Sequence, residues 1–216
     1  MTNIFTSSIG KKLIMSISGL FLILFLIVHL LANSASLFGP EAFDKIIEIM
    51  GSPVVVVMVP VLAAGFIIHI IYALYLTLCN LRARGKERYA VRNRGPKDSW
   101  ASKNMFVLGV IVLGFLVFHL THFWAKMQLK EFMGVHPENV NDLMPSVFGN
   151  ISTLILYIVW FSALWFHLTH GFWSAFQTIG ANNTKWLGRW KVISYIYATV
   201  IFAGFAIIAI TAYIKG

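Results

Sequence analysis

Five stretches of this chain carry no Asp, Glu, Lys or Arg, and each is long enough as a helix to cross a lipid bilayer. They are residues 13–32, 53–79, 104–125, 147–176 and 192–214. A hydrocarbon core about 30 Å thick takes about 20 helical residues, and inside it the backbone must satisfy its own hydrogen bonds. The expectation is an all-α membrane protein, a single transmembrane domain over residues 1–216 with five transmembrane helices. The composition agrees: 58% of the 216 residues are hydrophobic and only 12% are charged, the latter about half the share of a soluble domain. A soluble globule is excluded, and so is a disordered chain, which needs low hydrophobicity and high charge. The lone Cys79 rules out a disulfide framework, a zinc ribbon and an iron–sulfur ligand set, and without a C-x-x-C-H there is no covalent haem attachment.

The net charge of +9 is distributed as a membrane protein's, not a nucleic-acid binder's. Lys11 and Lys12 precede the first span. Arg82, Arg84, Lys86, Arg88, Arg92, Arg94, Lys97 and Lys103 lie between the second and third, and Lys185, Arg189 and Lys191 before the fifth. These are thirteen of the seventeen basic residues. The opposite side holds Lys45, Lys126, Lys130 and Lys215, with six of the eight acids: Glu41, Asp44, Glu48, Glu131, Glu138 and Asp142. By the positive-inside rule the N-terminus is cytoplasmic, the C-terminus is outside, and the protein is a multi-pass protein of the cytoplasmic (inner) membrane. The basic side is expected to meet anionic lipid or a cytoplasmic partner. The first span followed by Ala-Asn-Ser-Ala (32–35) resembles a signal peptide, but its apolar run exceeds the ~7–15 residues of a signal core, so it is read as a retained helix. Apolar positions 43, 46, 47 and 50 predict a short amphipathic helix on the outer surface, and Pro60 predicts a kink in the second span.

Six of the seven histidines fall inside the spans: His29, His69, His119, His122, His167 and His170. An ionisable group at membrane depth is costly and marks function by default. His29 lies 17 residues past Lys12 and His119 lies 16 past Lys103, which at about 1.5 Å per residue puts both about 25 Å up, near the outer edge. The second and fourth helices run the other way. His69 is 16 residues past Pro53 and His167 is 17 past Asn150, placing both near the inner edge by the same rise. Two histidine pairs at two levels suit the two axial positions of low-spin haem iron. Four of the five helices would then form a haem-holding bundle with two b-type haems. A lone membrane histidine more often bonds a neighbouring helix. A zinc or di-iron site would want carboxylates or thiolates as well, and the spans supply no carboxylates.

Helices three and four carry a matching motif, Phe118-His119-Leu120-Thr121-His122-Phe123-Trp124 and Phe166-His167-Leu168-Thr169-His170-Gly171-Phe172-Trp173. With Ser16-x-x-Gly19 leading to His29, and His69 followed by Tyr72 and Tyr75, the chain resembles the di-haem cytochrome b membrane anchor of succinate dehydrogenase and fumarate reductase, respiratory complex II. The likeness is to the five-helix, single-polypeptide type that works with menaquinone, and it covers essentially the whole chain. It implies that His69 and His167 hold the proximal haem near the catalytic subunits, and that His29 and His119 hold the distal one. It implies a flavoprotein subunit with FAD and an iron–sulfur subunit on the cytoplasmic side, docked partly on residues 82–103, and menaquinone as the membrane substrate. The chain would carry electrons and would not alone oxidise succinate. It departs from relatives in having Trp165 where some carry a proton-transferring Glu, Met15 where some carry Gln, and Thr178 where some carry a propionate-binding Lys.

Propionates need donors, and Ser16, Trp100, Lys103 and Gln177 stand near the inner level. Lys103 would equally serve lipid phosphate, and Trp100 the interfacial aromatic belt. His170 is expected to bond a propionate or a neighbouring helix. The resemblance places a quinone near the distal haem, with Glu48, Ser52 and His122 as candidate contacts. Two other readings are a di-haem anchor of a hydrogenase or formate dehydrogenase, and a haem-free transporter that relays protons through histidines. The lack of intramembrane carboxylates argues against the last.

Overall fold

The structure, a computed structural model, describes residues 7–84, 99–181 and 183–216. Among the described residues every regular element is helical. The order is α1 (Ser8–Ser34), a 3-10 turn (Ala35–Phe38), α2 (Pro40–Met50), α3 (Pro53–Arg84), α4 (Trp100–Lys103), α5 (Met105–His119), a π turn (Leu120–Trp124), α6 (Gln128–Phe132), α7 (Val140–Phe148), α8 (Ile151–Thr178) and α9 (Thr184–Lys215). Five of these are long and apolar enough to cross a membrane: α1, α3, α5 with its π turn, α8 and α9. Lys86, Arg88, Arg92, Arg94 and Lys97 of the expected docking loop lie outside the described residues.

Helix ends are set by caps, not by where the uncharged runs stop. Asn183 accepts from the backbone N–H of Lys185 and Trp186, so α9 starts at Thr184, before the uncharged run that opens at 192. Its first turns carry Lys185, Arg189 and Lys191, which a helix tolerates and a bilayer core does not. Asn150 likewise caps α8 through Ser152 and Thr153; Val147 and Phe148 therefore belong to the end of α7. Residues 40–50 form the expected surface helix. Pro40 opens α2 at its first position, where no N–H is needed. Phe43 is buried, and Ile46 and Ile47 pack on the same cluster. α3 passes Pro60 as one continuous helix.

The core is a spine of α8 and α9. Ala198, Ala209 and Ala212 of α9 are buried, and such small side chains let two backbones approach closely. The buried Ser194 hydroxyl reaches across to the Thr169 carbonyl at 3.0 Å. α1 lies in the groove beside them, where the Tyr197 hydroxyl donates to the Ile23 carbonyl at 2.6 Å. Gly204 makes room there: a Cβ would stand 2.6 Å from Leu30 Cδ1, so the leucine would have to move. At the acidic end α7 closes the bundle with Leu143, Met144, Val147 and Phe148. α3 differs from the rest. None of its described residues is buried, and it leans chiefly on α1.

Candidate functional site

The membrane histidines meet in two pairs. His29 of α1 faces His119, the last residue of α5, with ring centroids 5.8 Å apart and planes at 89°. His69 of α3 faces His167 of α8, with centroids 6.5 Å apart and planes at 69°. The second pair lies toward the basic end of the bundle, where Lys11 Nζ donates to the Tyr75 hydroxyl at 2.8 Å. The first lies toward the acidic end. These are the partners that the depth arithmetic matched.

The spacing suits iron between two imidazoles. A metal–imidazole bond is about 2 Å, and about 1 Å more separates each nitrogen from its ring centre, so two opposed ligands put their centroids roughly 6 Å apart. Among the described residues no group of three or more His, Cys, Asp or Glu converges on either pair. Two protein ligands suffice only for a metal whose other positions are filled by something else, as porphyrin nitrogens do. Among the described residues the buried Nδ1 atoms of His119 and His167 have no hydrogen-bond partner. The residues therefore fit a bis-histidine haem.

Neighbours orient each ring. His29 stacks on Phe25 at 5.2 Å and touches Phe205 at 5.6 Å. Asn33 Nδ2 donates to the His29 carbonyl at 2.8 Å. His119 lies between Phe115 at 5.7 Å and Phe123 at 5.2 Å. Ser18 Oγ stands 3.3 Å from His69 Nδ1. At Gly19 an added Cβ would come within 3.3 Å of His69 Cε1. Gly171, one turn past His167, would meet only the end of Met105 at 3.4 Å, and Gly114 faces open space.

The second histidine of each motif goes elsewhere. After His119 the helix widens into a π turn, and the Ala125 N–H donates to the Leu120 carbonyl at 2.8 Å. One extra residue in a turn rotates the rest of the helix around its axis. His122 Nδ1 thereby meets the Tyr157 hydroxyl at 3.1 Å, with the rings stacked at 17°. His170 stands edge-on to Trp173 at 5.0 Å, and Lys191 Nζ lies over the far indole at 5.0 Å.

Of the expected propionate contacts, Ser16 is buried, while Trp100, Lys103 and Gln177 are exposed. Trp100 packs on Phe166, whose neighbour in sequence is His167. Of the expected quinone contacts, Glu48 is exposed on α2 and Ser52 is half-buried before α3, accepting from the Val56 N–H. His122 is bonded to Tyr157, not to either of them. Between α3 and the π turn an apolar slot of about 480 Å³ opens, lined by Val56, Val57, Val59, Pro60, Ala63, Trp124 and Phe132. On the surface at the acidic end Lys130 donates to Glu138 at 2.8 Å and Lys126 adds its charge at 3.8 Å. The Lys130 hydrogen bond, followed by the Lys126 charge, holds the Glu138 carboxyl below its ordinary range.

Lys11, Ser18, Asn33 and Tyr157 are contacts that the sequence alone did not single out. The available signal was a hydroxyl or amide inside an apolar run, a signal shared by many residues that face no site.

Neither a family model nor a solved structure matches the chain. Its sequence is 27% identical over 197 residues to the succinate dehydrogenase cytochrome b558 subunit of Bacillus subtilis (strain 168), covering 88% of this chain and 87% of that protein. The two are distant homologues.

Proposed function

We propose that this chain is the membrane anchor and two-haem electron-transfer subunit of a succinate:quinone oxidoreductase. The observation that carries the reading is the meeting of four histidines from four helices in two pairs, 5.8 and 6.5 Å between centroids, toward opposite ends of the bundle. The homology to a succinate dehydrogenase cytochrome subunit supports it. His69 and His167 would hold the haem toward the basic end, and His29 and His119 the one toward the acidic end. Haem b held by these histidines would supply one-electron carriage.

The remaining roles belong to the chain. The basic end faces the cytoplasm and receives a flavoprotein and an iron–sulfur subunit, whose FAD and clusters exchange electrons with succinate or fumarate. Ser16, Trp100, Lys103 and Gln177, joined by Lys11, would supply the donors for the proximal propionates. Menaquinone docks toward the acidic end, its tail in the slot at Pro60 and Trp124. With Nδ1 of His122 engaged by Tyr157, the other ring nitrogen is left to exchange a proton with a quinone oxygen. Glu48 and Ser52 would lie at the mouth of that site. Trp165 donates its indole N–H to Thr199 Oγ1 at 3.0 Å, so this position offers no carboxyl for carrying a proton across the membrane.

The test is a reduced-minus-oxidised spectrum of the purified complex with a haem-to-protein count. Two low-spin b haems per chain are expected, together with succinate-dependent menaquinone reduction. His69→Ala or His167→Ala should leave one haem. A folded, assembled sample without haem would overturn the reading, and co-purification with a nickel or molybdenum subunit would redirect it to another dehydrogenase.

A further inference from the structure

We infer that Ser18 is a positioning residue for the proximal haem: its hydroxyl accepts a hydrogen bond from His69 Nδ1–H, which presents Nε2 to the iron and lowers that haem's potential. The inference rests on the bis-histidine reading above. Ser18 is buried on α1, and its Oγ donates to the Met15 carbonyl at 3.0 Å. A hydroxyl has one hydrogen and two lone pairs. The Met15 carbonyl that takes this hydrogen also bonds the His69 ring, and a carbonyl can only accept, so the ring edge facing α1 donates and Oγ accepts at its 3.3 Å contact with Nδ1. Nδ1 therefore carries the proton, and the lone pair of this imidazole is on Nε2.

The pocket is built to hold the ring. Gly19, the next residue, lets α1 come close enough for the contact, since a Cβ there would press on His69 Cε1 at 3.3 Å. The arrangement is also one-sided. His167 Nδ1, across the pair, has no hydrogen-bond partner among the described residues. An acceptor on the distant ring nitrogen raises the basicity of a ligating histidine, and a more basic ligand favours ferric over ferrous iron. The proximal pair thus has one strengthened ligand and one ordinary one.

The experiment compares the assembled complex carrying wild-type, Ser18→Ala or Ser18→Thr by haem count and redox titration. The proximal potential is assigned in a His119→Ala background, which keeps that haem alone. Ser18→Ala is expected to keep two haems and shift only the proximal potential upward, with a change in the ferric low-spin electron paramagnetic resonance signal. Ser18→Thr restores the wild-type value. Loss of the proximal haem in Ser18→Ala, with retention in Ser18→Thr, would equally support the hydroxyl's role. An unshifted potential in a two-haem Ser18→Ala complex would overturn it, as would a Ser18→Thr shift equal to that of Ser18→Ala. Absence of haem from the wild-type complex would instead overturn the haem reading itself.

Discussion

Tyr157 is 1% exposed and ringed by Phe115, Phe148 and Phe161, yet it carries a phenol. Its hydroxyl reaches His122, and a net hydrogen bond of this kind is worth about 1 kcal/mol, more if a buried partner is stranded. Tyr157→Phe should therefore lower the thermal midpoint of the assembled complex while leaving the haem count at two. His122→Phe should slow menaquinone turnover, again without loss of haem. At the surface, Glu138 supplies a pH test. Its folded carboxyl titrates below the ordinary range, so its contribution is present above the unfolded value and is lost as pH falls through the folded one. A carbon-13 titration of the Glu138 carboxyl should show the depressed midpoint, and Lys130→Ala should move it back up. The four paired histidines were legible in sequence because ionisable groups at membrane depth are rare and helical rise converts position into level. Ser18 and Tyr157 were not, because their partners lie on other helices and depend on crossing and rotation that no one-dimensional spacing carries.

At the scale of elements, hydrophobic length located the spans, and caps located their ends. The uncharged windows register what the bilayer tolerates; Asn150 and Asn183 register where a backbone ladder starts. Asn183→Ala should cost about 1 kcal/mol of helix stability, visible as faster amide exchange in the first turn of α9. The close contact of α9 with α8 relies on side chains the size of Ala198, which is 0% exposed. Ala198→Leu should destabilise the fold by about 1–3 kcal/mol through overpacking, measured as a lowered denaturation midpoint in detergent. The π turn was invisible in sequence. Phe-His-Leu-Thr-His occurs in both helices three and four, but only the first copy widens, and the divergence of His122 from His170 comes from that single wider turn.

For the whole molecule, orientation is expected to follow charge. A phosphatase reporter that works only outside the cytoplasm should be active when fused after Gly216; an inactive fusion of a normally inserted chain would reverse the topology. The five spans do not contribute equally to cohesion. α8, α9 and α1 share a packed interior, whereas α3 has no buried side chain among its described residues, leans on α1 and meets α8 through His69 and His167. A helix fastened in this way is governed by mass action more than by its own packing. Whatever binds only when α3 is seated stabilises the seated state by an amount that grows with the logarithm of its concentration. On the proposed function that binder is the haem, so the melting temperature should follow cofactor supply as much as sequence, and a cell short of the prosthetic group should hold a chain whose second span is the first to come loose.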